Sequence, residues 1–223
     1  MSTPLIVISS KRAETGKTTL AFNLAAALLK DGYTVGIHSE FTEIFLQKRQ
    51  ELLKTNTGLK MPRQLTKKDL LSDNFGDCSV VIADVPASQN EAFIPVFSKA
   101  HTLITLVQNR QDADWRSDDS YLNLIWTAKK NQAAAGIRYL NWIVVRNMAD
   151  SADEEFGQEL DKQSRRLGFR SRPVLENREV YTHIKEGFSV ADQLSCKTLQ
   201  MSMADVYARR ELLILADFMW QHK

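Results

Sequence analysis

Residues 4–19 read Pro-Leu-Ile-Val-Ile-Ser-Ser-Lys-Arg-Ala-Glu-Thr-Gly-Lys-Thr-Thr. An apolar run, Leu5 to Ile8, stops at a polar turn that ends in Gly16-Lys17-Thr18, immediately before a helix-forming segment from Leu20 to Lys30. The order is strand, loop, helix. In a loop so placed, backbone N–H groups and the positive end of the helix face a polyphosphate, a lysine reaches its outer phosphates, and a hydroxyl ligates Mg2+. Lys17 and Thr18 are the candidates for those two roles. The pattern G-x-x-x-x-G-K-S/T puts its first glycine at Lys11, so the tripeptide draws its weight from context. A helix begins at Lys17, and Asp31-Gly32 closes it as a C-terminal stop should. Without a ligand, the same residues read as a strand-to-helix turn with a solvated lysine.

The next informative stretch is Ser79-Val-Val-Ile-Ala-Asp84-Val-Pro86, a continuous apolar run that stops at an acid. Such runs mark strands buried on both faces of a parallel sheet. The ligand crevice of an open parallel sheet lies at the carboxyl ends of its strands, which makes Asp84 the candidate for holding a Mg2+ shell. A turn or cap acid is the alternative, and Pro86 fits that equally well. Further strands are expected near Pro4 to Ser9, Thr34 to Ser39, Thr102 to Val107, Leu140 to Val145 and Pro173 to Leu175. Helical periodicity covers Phe41 to Lys54, Phe93 to Lys99, Asp118 to Ala135, Asp153 to Leu167 and Met203 to Trp220. Strands alternating with helices predict an α/β fold, a three-layer, doubly wound, mostly parallel sheet with helices on both faces.

The 223 residues suit one domain, expected to span 1–223 with a basic surface excursion at about 41–68. Hydrophobic content of 43% and charged content of 25% are those of a globular chain. A formal charge of +2 confines any attraction to nucleic acid to a local patch. Cys78 and Cys196 have neither metal nor redox spacing and read as reduced thiols. The four histidines, His38, His101, His183 and His222, are scattered and give no ligand set. No stretch approaches the ~20 apolar residues of a membrane span, and a cytoplasmic location is expected. The tryptophans read as core or interface rather than as a stacking platform for bases.

The phosphate loop, Asp84-Val-Pro86, Val144-Val-Arg-Asn147 and the long last helix resemble the ParA/MinD superfamily of dimerising P-loop ATPases. The second half resembles the MipZ family, which positions the division plane. The carrying stretches are Trp142 to Asn147, Ser164 to Arg170, Glu176 to Lys185 and Met201 to Arg210. The resemblance implies that Lys11, Arg12, Ala13, Glu14, Thr15, Gly16, Lys17, Thr18 and Thr19 surround the phosphates of ATP or ADP. It also implies that Thr18 and Asp84 serve Mg2+ and that Asn147, with Arg146, lies against adenine. An Asn amide can both donate to and accept from that base edge.

The departures qualify the activity. The superfamily's loop reads Lys-Gly-Gly-x-Gly-Lys-Thr, and its first lysine, which crosses a nucleotide-sandwich dimer, falls on Arg12. The two following glycines become Ala13 and Glu14. The superfamily's paired acids after the second strand fall on Ser39 and Phe41, so both carboxylates are gone. Phosphoryl transfer depends on positioning and charge stabilisation, which predicts nucleotide binding with weak or absent hydrolysis. The resemblance implies a nucleotide-gated homodimer acting in chromosome partition or cell-division positioning, with a ParB-like or division protein as partner. Arg165, Arg166, Arg170, Arg172, Arg209 and Arg210 are the candidates for non-specific DNA contact on one basic face. Two alternatives stand beside this reading: a pseudo-ATPase scaffold, and a small-molecule enzyme related to dethiobiotin synthetase.

Overall fold

The computed structural model describes residues 3–56, 58–115, 119–137, 140–150, 153–171, 173–192 and 202–221. Arg172, Cys196, Met201, His222 and the expected helix start at Asp118 lie outside them. Seven strands form one sheet: β1 (Leu5–Ser9), β2 (Val35–His38), β3 (Arg63–Gln64), β4 (Val80–Asp84), β5 (Thr102–Val107), β6 (Asn141–Ala149) and β7 (Val174–Glu176). Their order is β3-β2-β4-β1-β5-β6-β7, and each pairing is parallel. Every residue of β1, β4 and β5 is buried, as expected for strands covered on both faces.

Alternation along the strands divides the core in two. Leu5, Val7, Val81, Ala83 and Trp142 pack with residues of α3 (Lys67–Ser72), α4 (Ile94–Phe97), α5 (Ser120–Ala134) and α6 (Glu154–Leu167). Ile6, Ile8, Val80, Ile82 and Ile143 pack with α1 (Lys17–Lys30), α2 (Thr42–Leu53), a 3-10 helix at Glu179–Glu186 and α7 (Met203–Trp220). Ser202 opens α7 with a reciprocal capping box to Asp205, which fits the expected start at Met203.

The stretch 41–68, expected at the surface, is partly built into the molecule. Phe45 stacks on Phe22 with centroids 3.9 Å apart, and Arg63-Gln64 pairs with β2 as the edge strand. Arg49 is only 1% exposed: its guanidinium meets both oxygens of Asp192 at 2.9 and 2.7 Å and the carbonyls of Lys60 and Gly187 at 2.7 and 2.9 Å. A buried charge survives only when paired and fully hydrogen-bonded, and this one is.

Candidate functional site

The chain reverses direction across the sheet beside β1, which is where an open parallel sheet leaves its crevice. β1 and β4 are neighbours in register, with Ile8 opposite Asp84, so the acid lies level with the start of the 10–16 loop. Gly16 takes the left-handed conformation (φ 84°) and turns the chain into α1. A Cβ there would run into the Asn147 amide, so glycine is needed for its backbone and for its bareness.

Lys17 lies folded over the loop, its ammonium bonded to Ser10 Oγ at 2.9 Å and to the Arg12 carbonyl at 3.2 Å. Burial lowers its pKa, and the attraction of Asp84 opposes the shift. Thr18 Oγ1 and Ser39 Oγ both donate to Asp84 Oδ2, at 2.6 and 2.7 Å. Asp84 is 4% exposed, and burial raises its pKa against those two hydrogen bonds. Its second oxygen, Oδ1, is buried without a hydrogen-bond partner, as is Thr15 Oγ1.

An unpartnered buried carboxylate oxygen beside a threonine hydroxyl is the donor set of a hard divalent cation. Thr18 and Asp84 therefore fit Mg2+, and Lys17 with the N-terminus of α1 fits a polyphosphate. Ser39, one of the positions where an acid was missed, occupies the same cluster as a hydroxyl. Phe41, the other, is 54% exposed.

The remaining loop residues split. Lys11 turns outward to Asp119, which also caps the start of α5, and to the Asp114 carbonyl at 3.2 Å. Arg12, 53% exposed at its side chain, bonds Gln111 at 3.1 Å and pairs with Asp112 at 3.6 Å. Ala13 and Glu14 are exposed, with Glu14 at φ 59°. Glu14 is thus turned to solvent, where its carboxylate does not oppose an anion held inside the loop. Thr19 is half-buried and lines, with Gly16, Asn147 and Tyr181, a cavity of about 60 Å3.

The two residues expected against adenine face opposite sides of the sheet. Arg146 points to the other face of the sheet, its guanidinium 5.3 Å from the Phe156 ring and bonded to the Asp150 carbonyl at 3.3 Å. Strand alternation forces this once Asn147 faces the loop. Asn147 spends its amide N–H on the Thr15 carbonyl at 2.7 Å and so braces the loop from beside Gly16.

Three supports escaped the sequence reading. Asn90 accepts from Ser9 Oγ at 2.9 Å and donates to the Ser10 carbonyl at 3.0 Å. Gln108 donates to the Glu14 carbonyl at 3.0 Å. Arg178, beside the same small cavity, is held by Glu176 and Glu211, and Glu211 also takes the Tyr181 hydroxyl at 3.1 Å. The only sequence signal for the first two is their place just after strand ends.

Among the described residues, the arginines expected on one DNA face lie on both sides of the sheet. Arg165 and Arg166 end α6 on one side of the sheet, whereas Arg209 and Arg210 lie on α7 on the other. Arg170 is laid over Phe218 at 3.6 Å and donates to that residue's carbonyl at 2.9 Å. Among the described residues, no helix is long and apolar enough to cross a membrane.

The structure is similar to that of the MinD cell division protein of Aquifex aeolicus, with a TM-score of 0.54 and 17% identity over 94% of this chain and 97% of that one. It is also similar to an ATP complex of Cyanothece McdA, with a TM-score of 0.61 and 15% identity over 97% and 96%. A plasmid partition protein of Borrelia burgdorferi bound to AMPPNP gives 0.57 and 14% over 98% and 99%. At such identities these matches show the shared fold. A comparison with curated proteins finds no significant match. The family model described as ATPase MipZ matches residues 42–219, from the start of α2 almost to the end of α7. With that match, and with the parallel sheet and strand-end site described above, the chain belongs to the MipZ family of ATPases.

Proposed function

We propose that this chain is a nucleotide-dependent switch that binds ATP with Mg2+ at the 10–19 loop, dimerises in that state and positions a division or partition machinery in the cytoplasm. The observation that carries it is the Lys17, Thr18, Ser39 and Asp84 cluster, above all the bare, buried Asp84 Oδ1. We read residues 1–223 as one domain, with a ParB-like or division protein as partner. Hydrolysis is slow in this reading, because Ser39 and Phe41 supply no carboxylate to position water and Arg12 is engaged by Asp112.

The test is calorimetric titration of ATP and ADP with Mg2+, with mass followed by light scattering. Binding with a shift from monomer to dimer on ATP, lost in Lys17→Ala, is the expected outcome. Turnover is expected well below the rate of about 1 per second that ordinary enzymes reach. Brisk turnover abolished by Lys17→Ala would sink the slow-switch reading.

A second reading, a pseudo-ATPase scaffold, is favoured by the outward ties of Lys11 and Arg12 to Asp119 and Asp112. No heat of binding at millimolar nucleotide would select it. The dethiobiotin synthetase-like alternative gains nothing from a MipZ match over 42–219.

A further inference from the structure

The phosphate loop follows the carboxyl end of β1, but a larger cavity, of about 810 Å3, opens at the opposite, amino-terminal ends of the strands, where Leu140 precedes β6. It lies between the C-terminal halves of α5 and α6. Trp126, Lys129 and Gln132 enter it from α5, and Arg165 and Arg166 from the last turn of α6. Among the described residues that line it, none is acidic. The Lys129 ammonium rests over the rings of Trp126 and Trp142, at 4.8 and 4.9 Å from their centroids. Among the described residues, neither Lys129 nor Arg165 has an acidic partner.

Arg166 donates to the Trp115 carbonyl at 3.3 Å, whereas Lys129 and Arg165 line the cavity with no hydrogen-bond acceptor among the described residues. The ends of α5 and α6 each contribute about half a negative charge, about one in all, which leaves the cavity strongly positive. Two further features bear on its contents. Trp126 is 43% exposed, the only tryptophan among the large apolar side chains left open to solvent, with the Lys129 ammonium over its ring. Gln132 is 2% exposed and donates to the Ala100 carbonyl at 2.7 Å, yet its Oε1 is buried and unpartnered. A bare phosphate would satisfy the cations and leave both the ring and the Gln132 acceptor unused.

We propose that this cavity is a second ligand site, separate from the phosphate loop, that takes a nucleoside phosphate. Lys129, Arg165 and Arg166 face the phosphate, Trp126 stacks on the base, and Gln132 Oε1 accepts a hydrogen bond from the base or sugar. The volume lies within the range of about 300–1,000 Å3 usual for small-ligand sites. Burial lowers the Lys129 pKa, so an anion beside it also restores the ammonium's ordinary affinity for its proton. The chemistry is shared by a free nucleotide and by the end of a nucleic-acid strand.

The test uses full-length Lys17→Ala protein, whose phosphate loop lacks its lysine, and the substitutions in the cavity separate binding there from any that remains at the loop. AMP, inorganic phosphate and a short single-stranded oligonucleotide are titrated separately by calorimetry, with tryptophan emission recorded in parallel. The expected result is saturable AMP binding that quenches emission and weakens about tenfold in Lys129→Met and in Arg165→Ala, the loss of one charge-assisted contact. Arg165 is exposed, so its substitution leaves the fold intact. In Trp126→Phe, binding persists and the quenching is lost. Absence of AMP binding at millimolar concentration overturns the site, as does binding indifferent to both charge substitutions. Inorganic phosphate binding as tightly as AMP overturns the nucleoside assignment. Oligonucleotide binding without AMP binding also overturns it, and assigns the arginines to a strand-binding surface.

Discussion

Asp84 is the residue on which two opposing demands meet. Burial raises its pKa, while the hydroxyls of Thr18 and Ser39 and the Lys17 ammonium favour the carboxylate. Between the ordinary carboxylate pKa and the raised one, the folded state holds more protons than the unfolded state. Stability of the ligand-free protein therefore falls as pH rises through that window. Asp84→Asn is expected to flatten this dependence in denaturant unfolding curves from about pH 4 upward. The same substitution is expected to abolish the Mg2+ dependence of nucleotide binding, which native protein should itself lose as pH falls into the window. Gly16→Ala tests the loop from another side. The φ of 84° and the clash with the Asn147 amide predict a loss of about 1–3 kcal/mol in urea unfolding. Adding Asn147→Ala is expected to recover only the part due to the clash, because the backbone conformation stays unfavourable for alanine.

At the scale of elements, α2 is fastened to the segment after the 3-10 helix by Arg49 and Asp192. Gly187 permits the approach: a Cβ there would lie 2.7 Å from the Arg49 backbone nitrogen, at a φ of 87°. α2 starts right behind Ser39, so the fastening runs from the edge of the Thr18, Ser39 and Asp84 cluster to the segment around Asp192. Asp192→Asn leaves the guanidinium buried without its counter-charge and is expected to cost about 3–5 kcal/mol in equilibrium unfolding. The double variant with Arg49→Met is expected to be less destabilised than that single one, since it removes the orphaned charge. An Asp192→Asn protein as stable as the native one would show that water already compensates the pair. The segment after β5 plays a comparable part for the loop, engaging Lys11 and Arg12 through Asp119 and Asp112. Asp112→Asn is expected to leave Arg12 held by Gln111 alone without loosening Lys17, whose partners are Ser10 and the Arg12 carbonyl.

At the scale of the whole molecule, the sheet separates the two arginine pairs, so a duplex lying against one face meets one pair. If the ATP-bound protein binds DNA, removing Arg209 and Arg210 together is expected to reduce the slope of log affinity against log salt by about two, near 0.9 per phosphate lost. Removing Arg165 and Arg166 should leave that slope nearly unchanged. Equal effects from both pairs in an electrophoretic or fluorescence titration would mean that the DNA wraps both faces. Much of this architecture was legible before any coordinates. The unbroken apolar runs at Leu5 to Ile8 and Val80 to Ala83, and helical repeats between them, follow from local periodicity alone, and they dictate a parallel, doubly wound sheet. The meeting of the Gly16-Lys17-Thr18 turn with Asp84 was legible too, because a loop between a strand end and a helix start lies level with the end of the neighbouring parallel strand. Even the capping box of α3, Thr66 with Asp69, is a local signal that the polar composition around it concealed. What only the tertiary structure decided is which side chains turn toward one another across long separations. It buried Arg49, sent Arg146 away from Asn147, bound Lys11 and Arg12 to acids about a hundred residues later, and divided the arginines between two faces. Periodicity specifies the face a residue takes on its own element; its partners are chosen by the packing of elements that the sequence lists far apart.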